Sequence, residues 1–153
     1  VGLRVGGLTL QEGEVVYLDS CILIYMVEGY TPLQHALRQL WVGIKAEAIK
    51  ATTSQLSILE TLVLPKRMGD EDLLDRYEAL YSSSRMTFVP ISESILRRGA
   101  HLRAVHPSLR TPDAIHLATA LGHGSHYFLT HDKRMTPVGD LRVVHLAELK
   151  LPD

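Results

Sequence analysis

The sequence predicts a three-layer α/β/α sandwich built on a central parallel sheet. Three observations predict it. Short apolar runs of strand length recur at residues 15–18, 86–90, 127–130 and 141–144. The stretches between most of them carry apolar residues at helical spacing. Strands separated by helices close as right-handed β-α-β units, which makes neighbouring strands parallel.

Each element follows from its own residues. Residues 1–14 are rich in Gly and weakly periodic (Val5-Gly6-Gly7-Leu8), and are expected to form a leader or loosely attached tail ahead of a domain spanning 15–149. Val15-Val16-Tyr17-Leu18 is an apolar run suited to a buried strand. Asp19-Ser20 ends it, and residues 21–28 form a short helix before Gly29. Residues 32–49 form a longer amphipathic helix, with Leu33, Ala36, Leu37, Leu40, Trp41 and Ile44 on one face. Lys50-Ala51-Thr52-Thr53 is a short strand, and Ser54 caps a helix running to Leu64 that Pro65 terminates. Residues 70–83 are helical, with Leu73, Leu74, Tyr77, Leu80 and Tyr81 sharing a face. After strand 86–90, Ser92 caps a helix to about Val105. Thr111-Pro112 starts the next helix, a capping residue followed by Pro at the first helical position; it stops at Gly122-His123-Gly124. The strands at 127–130 and 141–144 complete the sheet.

The bulk properties narrow the class. A chain of 153 residues supports one compact domain. Apolar residues make up 46% and charged residues 22%, proportions that exclude a disordered chain. A net charge of −1 gives no global basic signature, although a local Lys/Arg rim can still contact phosphates. The single Cys21 excludes an internal disulfide framework and a Cys-based zinc cluster, and fits a reducing compartment. No apolar run approaches the roughly 20 residues that span a bilayer, and no signal segment is recognised, so the expected location is the cytoplasm, away from membranes.

Four acids fall where acids are costly. Asp19 directly follows a buried strand, and Asp132 lies two residues past another. Ligands of parallel α/β sheets bind at the carboxyl ends of strands. Asp113 is placed second in a helix that is otherwise apolar nearly all round (Ala114, Ile115, Leu117, Ala118, Ala120, Leu121). Glu60 has Leu56, Leu59, Val63 and Leu64 at offsets of three and four, which points it toward the core side of its helix. Singly, each acid has a structural explanation. Asp19 suits an N-cap, Asp113 the positive end of a helix dipole, Ser57-x-x-Glu60 a capping box, and Asp132 an Asx turn. Together they point further. Four carboxylates on one sheet edge raise one another's pKa values unless a cation lies among them. Oxygen-only donors select hard ions, Mg²⁺ or Mn²⁺, and such a centre suits phosphodiester hydrolysis.

The pattern resembles the PIN-domain family, and within it the VapC-type toxins of toxin–antitoxin pairs. The matching stretches are Val16-Tyr17-Leu18-Asp19-Ser20, Ser54-Gln55-Leu56-Ser57-Ile58-Leu59-Glu60, Thr111-Pro112-Asp113-Ala114-Ile115-His116-Leu117-Ala118 and Leu129-Thr130-His131-Asp132. The resemblance implies a parallel sheet flanked by helices, an acidic pocket for one or two divalent ions, and endonucleolytic cleavage of RNA. It implies Asp19, Glu60, Asp113 and Asp132 as the acidic quartet, a homodimer, and a cognate antitoxin entering the active groove. Two alternatives stay within the family: a nuclease acting on ribosomal RNA precursors or structured DNA, and a catalytically silent module that binds RNA or protein. A haloacid-dehalogenase-like phosphatase would need a second Asp where Cys21 stands.

Around the quartet, Ser20 and Thr130 fit hydroxyl positions that orient a carboxylate, or equally a cap and a strand hydroxyl. Position 131 is often Asn in the family and is His here; a solvent-facing loop residue is the preferred reading of His131, a metal or phosphate contact the other. His116 lies three residues after Asp113 on the same helical face, and reads as a hydrogen-bonded core histidine or a support behind the acids. Arg110 and Arg134, next to the acids in sequence, are the expected phosphate contacts. Tyr77, Tyr81 and Trp41 read as core or subunit interface.

Overall fold

A computed structural model describes residues 2–83 and 85–149 of the chain. It opens with β1 (Leu3–Val5) and β2 (Leu8–Leu10), then β3 (Val15–Leu18) and α1 (Ser20–Glu28). A 3-10 turn over Thr31–Leu33 leads into α2 (Gln34–Lys45), followed by β4 (Lys50–Ser54), α3 (Leu56–Met68) and α4 (Glu71–Ser82). The second half holds β5 (Met86–Val89), α5 (Glu93–Val105), α6 (Thr111–Gly122), β6 (Tyr127–Thr130) and β7 (Arg142–His145), with a 3-10 turn at Leu146–Leu149.

The main sheet has the order β5-β4-β3-β6-β7, and every pairing in it is parallel. The chain winds outward from β3 through β4 to β5, then returns to add β6 and β7 on the other side of β3. The order therefore reverses between β3 and β6, where loops leave the sheet in opposite directions and open a crevice.

Both faces of the sheet are buried, and the strand period of two divides them. Val16 and Leu18 of β3, Leu129 of β6 and Val144 of β7 join α1, α2 and the N-terminal hairpin in one core. Tyr17, Phe128 and Val143, from the same strands, join α5 and α6 in the other.

Several elements differ from the sequence expectation. Residues 3–10 are no loose tail. They form an antiparallel hairpin whose Val5, Leu8 and Leu10 are buried in the first core. Pairing of Val5 with Leu8 leaves Gly6-Gly7 as a two-residue turn. Gly6 has φ +58°, and a Cβ there would collide with the Leu149 carbonyl, so only glycine fits. Gly7 N–H then donates to Leu149 O at 3.0 Å. Helix α2 is shorter than the 32–49 span because its first turn is the 3-10 turn and it ends at Lys45. Pro65 does not stop α3. It lies inside the helix, which ends instead at Gly69 in the left-handed conformation (φ 66°). Thr111 is the first residue of α6 rather than its cap; Arg110 takes the cap position, and Pro112 follows within the first turn. Ser54 contributes its Oγ to Leu56 N–H at 3.0 Å, while Gln55 occupies the cap position of α3.

Candidate catalytic centre

The acids gather at the carboxyl ends of β3 and β6, carried there by the ends of those strands and by α3 and α6. Asp19 leaves β3 with extended backbone (φ −65°, ψ 155°) and caps α1, its Oδ1 accepting from Ser20 N–H at 2.9 Å. Its Oδ2 accepts from the Thr130 hydroxyl at 2.7 Å. The cap role and the site role are thus the same geometry. Asp19 is only 6% exposed. Burial raises its pKa, and His116, Thr130 and the Ser20 N–H only partly offset that rise. Ser20 serves Asp19 through its backbone.

Thr130 ties a second acid to the first. The hydroxyl that donates to Asp19 also accepts from Asp132 N–H at 3.0 Å. Asp132 closes a turn by accepting from Arg134 N–H at 2.9 Å, and its two oxygens take a bidentate pair from the Arg134 guanidinium at 3.0 and 2.7 Å. That guanidinium holds the Asp132 carboxyl below the usual carboxylate range.

Helix α6 supplies Asp113 and, one turn later, His116. Asp113 is the third residue of the helix, not the second, and is 6% exposed. Its Oδ2 accepts from Arg110 N–H at 3.1 Å and lies 3.5 Å from Arg110 Nε. Both arginines expected to meet phosphate are therefore paired with acids of the centre, while their side chains stay at least half exposed.

Glu60 enters from α3, but not for the reason its apolar neighbours suggested. Leu59 and Leu64 are 63% and 60% exposed. The buried face of α3 is Ser57, Thr61, Leu62 and Pro65. Glu60 instead leans along the sheet edge to His116, whose Nε2 lies 2.5 Å from Glu60 Oε1 and 3.7 Å from Asp19 Oδ1. His116 is fully enclosed, with Nδ1 2.6 Å from the Tyr17 hydroxyl. Burial pulls its pKa down, but the Glu60 hydrogen bond and the charges of Asp19, Glu60 and Asp113 outweigh it, and the net direction is up.

His116 and Tyr17 are the residues that sequence reasoning undervalued. The available signals were the three-residue step from Asp113 and a lone hydroxyl in an otherwise apolar strand. His131 is exposed, as expected, yet its ring rests beside Tyr25 and Tyr30 and its N–H meets Cys21 Sγ at 3.3 Å.

The structure thus joins Asp19 with Glu60 through His116, and Asp19 with Asp132 through Thr130, with Asp113 one turn from His116. Among the described residues, no three such side chains close into a ready-made ligand shell. The donor chemistry fits a hard divalent cation: oxygen donors at one edge, with a buried Asp19 carboxylate lacking a full counter-charge.

Comparison with known proteins adds to this geometry. A family model described as the PIN domain matches residues 16–141. Ribonuclease VapC7 of Mycobacterium tuberculosis is 27% identical over 133 residues, covering 86% of this chain and 90% of that protein. A toxin-antitoxin complex from Klebsiella pneumoniae holds a chain that superposes with a TM-score of 0.59 at 23% identity, covering 82% of this chain and 94% of that one. VapBC2 from Rickettsia felis, crystallised with a DNA fragment from its promoter, gives a TM-score of 0.67 at 13% identity, covering 86% and 98%. At such identities the two structures speak to fold alone, and they support the α/β arrangement described above.

Proposed function

This chain belongs to the PIN-domain family, and from that premise we propose that it is a divalent-metal-dependent endoribonuclease, the toxin of a type II toxin–antitoxin pair. The observation that carries the reading is the buried Asp19 carboxylate at the sheet's reversal point, tied through Thr130 to the Asp132 loop and through His116 to Glu60. The ribonuclease relative supports RNA as substrate, and the toxin–antitoxin neighbours support an antitoxin partner.

Asp19, Asp113, Glu60 and Asp132 would hold Mg²⁺ or Mn²⁺. When bound, the ion supplies water activation and neutralises charge on the phosphate. The protein's own residues do the rest. Thr130 and Ser20 N–H fix the orientation of Asp19, and His116 fixes Glu60. Arg110 and Arg134, paired with Asp113 and Asp132 and at least half exposed at the rim, would offer their guanidinium groups to the substrate phosphates.

A homodimer suits the exposed apolar row of α3, where Leu59, Leu64 and Met68 face outward. Among the described residues, no helix is long and apolar enough to cross a membrane, and the cytoplasm is the proposed location.

The test compares purified wild type with the Asp19→Asn/Asp113→Asn double variant on RNA, with Mg²⁺, with Mn²⁺ and with chelator. Discrete cuts from wild type that chelator abolishes are expected. Undiminished cleavage by the folded double variant would overturn the assignment.

A further inference from the structure

Beside the acidic centre, between α1 and α2, lies a cavity of about 220 Å³ lined by Tyr25, Tyr30, Gln34, Arg38 and Trp41. Drug-sized ligands occupy roughly 300–1,000 Å³, so this space suits a single planar ring system. The Tyr25 and Tyr30 rings stack at 4.4 Å, and the His131 imidazole stands 5.7 Å from Tyr25 and 5.8 Å from Tyr30. His131 is exposed and immediately precedes Asp132. His131 therefore connects the Tyr25–Tyr30 pair to the loop that carries Asp132. Tyr25, Tyr30 and Trp41 are all only partly buried, although rings of that size are favoured core material. Of the two helices that form the cavity, α2 carries Arg38 and Lys45 and no acid, while α1 ends at Glu28.

We propose that this cavity is a nucleobase subsite, in which an unpaired RNA base flanking the bond to be cut stacks on the Tyr25–Tyr30–His131 cluster while Arg38 holds the adjoining phosphate. The inference rests on the ribonuclease reading and deepens it. Partly exposed aromatics beside a guanidinium are the recurrent equipment for gripping single-stranded nucleic acid, since every base has a face to stack. A protein partner's helix would be favoured by a wholly apolar lining; here Gln34 and Arg38 stand beside the apolar Met26 and Leu37, which favours a base and its phosphate.

Trp41 is the single tryptophan and lines the cavity, so its fluorescence reports occupancy without any cleavage. The full chain carrying Asp113→Asn is titrated with a short single-stranded RNA, alone and combined with Tyr30→Leu or Tyr30→Phe. Quenching that Tyr30→Leu weakens about tenfold and Tyr30→Phe preserves is expected. In the cleaving protein, Tyr30→Leu raises KM by a similar factor, leaves kcat nearly unchanged and redistributes the cut sites. Thermal melts confirm that each variant is folded. If wild type cleaves while Tyr30→Leu keeps its KM and cut sites, the subsite fails and the ribonuclease reading stands. If RNA quenches Trp41 but wild type never cuts, the catalytic reading fails and the subsite survives. Quenching by a partner protein and not by RNA gives the groove to protein binding and overturns the proposal.

Discussion

The Tyr17 hydroxyl lies 2.6 Å from His116 Nδ1, deep beneath the acidic edge. Burial, and next the Asp19 charge, push the phenol's ionisation far up, so Tyr17 keeps its proton and its hydroxyl donates to Nδ1 when the imidazole is neutral. In the neutral imidazole the remaining hydrogen is then on Nε2, aimed at Glu60 Oε1. Groups standing behind metal ligands commonly set metal affinity by 10–100-fold. His116→Gln is expected to weaken Mn²⁺ binding about tenfold or more, and Tyr17→Phe to weaken it severalfold with less than about 2 kcal/mol lost in stability. Calorimetric titration with Mn²⁺ beside denaturant melts checks both. Unchanged affinity in His116→Gln would reduce the histidine to a packing residue.

Thr130 makes a separate prediction. Its hydroxyl donates to Asp19 and accepts from Asp132 N–H, joining two strand ends through one buried atom. Thr130→Val keeps the shape and leaves both partners unsatisfied, at about 1–3 kcal/mol for each. Thr130→Ser restores the hydroxyl and most of that loss. Urea unfolding of the two variants separates hydroxyl from methyl.

The metal-free protein is expected to lose stability as pH rises from mildly acidic values. His116 and Asp19 both have folded pKa values above their unfolded ones, so the folded state binds more protons. The stability they confer is fully present below the unfolded pKa and disappears as pH climbs through the folded one. For Asp19 that window starts near the ordinary carboxylate value of 3.8 and for His116 near 6.5. Asp132 works oppositely: its lowered pKa adds stability above the usual carboxylate range and loses it in acid. Thermal melts across pH in chelator show the slope, and His116→Gln flattens its upper part. A His116→Gln profile parallel to wild type would refute this assignment.

The N-terminal hairpin is expected to be structural. Removing residues 1–10 strips Val5, Leu8 and Leu10 from the first core, at about 1.5–3 kcal/mol for each side chain. Gly6→Ala alone should also destabilise, since its backbone is left-handed and Leu149 blocks the methyl. Unaltered melting of the truncated chain would return these residues to the status of a loose tail.

Much of this architecture was legible in the residues, and the misses share a physical cause. The runs at 15–18 and 127–130 announce buried parallel strands because both faces of the sheet are covered, and the acids following them fall where such sheets bind ligands. Strands β1 and β2 have three residues each, too few for a period of two to register, although Gly6-Gly7 between apolar residues is itself a hairpin turn. Glu60 reached the site on different grounds from those its neighbours offered. An apolar stripe on α3 marks burial, but a sequence does not distinguish burial against its own sheet from a face left outward. His116 reads from the sequence as either a core histidine or a support behind the acids; in the structure it is enclosed and stands beside both Glu60 and Asp19. Trp41 fits helical packing, and its place in the cavity appears only once α1 and Tyr30 are folded beside it.

The reversal of strand order between β3 and β6 also bears on how the protein is made. Asp19 and Thr130 are 111 residues apart in the chain, yet a single hydroxyl joins them. Domains emerge from the ribosome amino end first, so every nascent chain short of β6 carries Asp19 without Thr130 or Asp132. An enzyme that cuts RNA would thereby be withheld from the translating machinery around it until β6 and its loop have emerged, its birth order acting as a built-in delay.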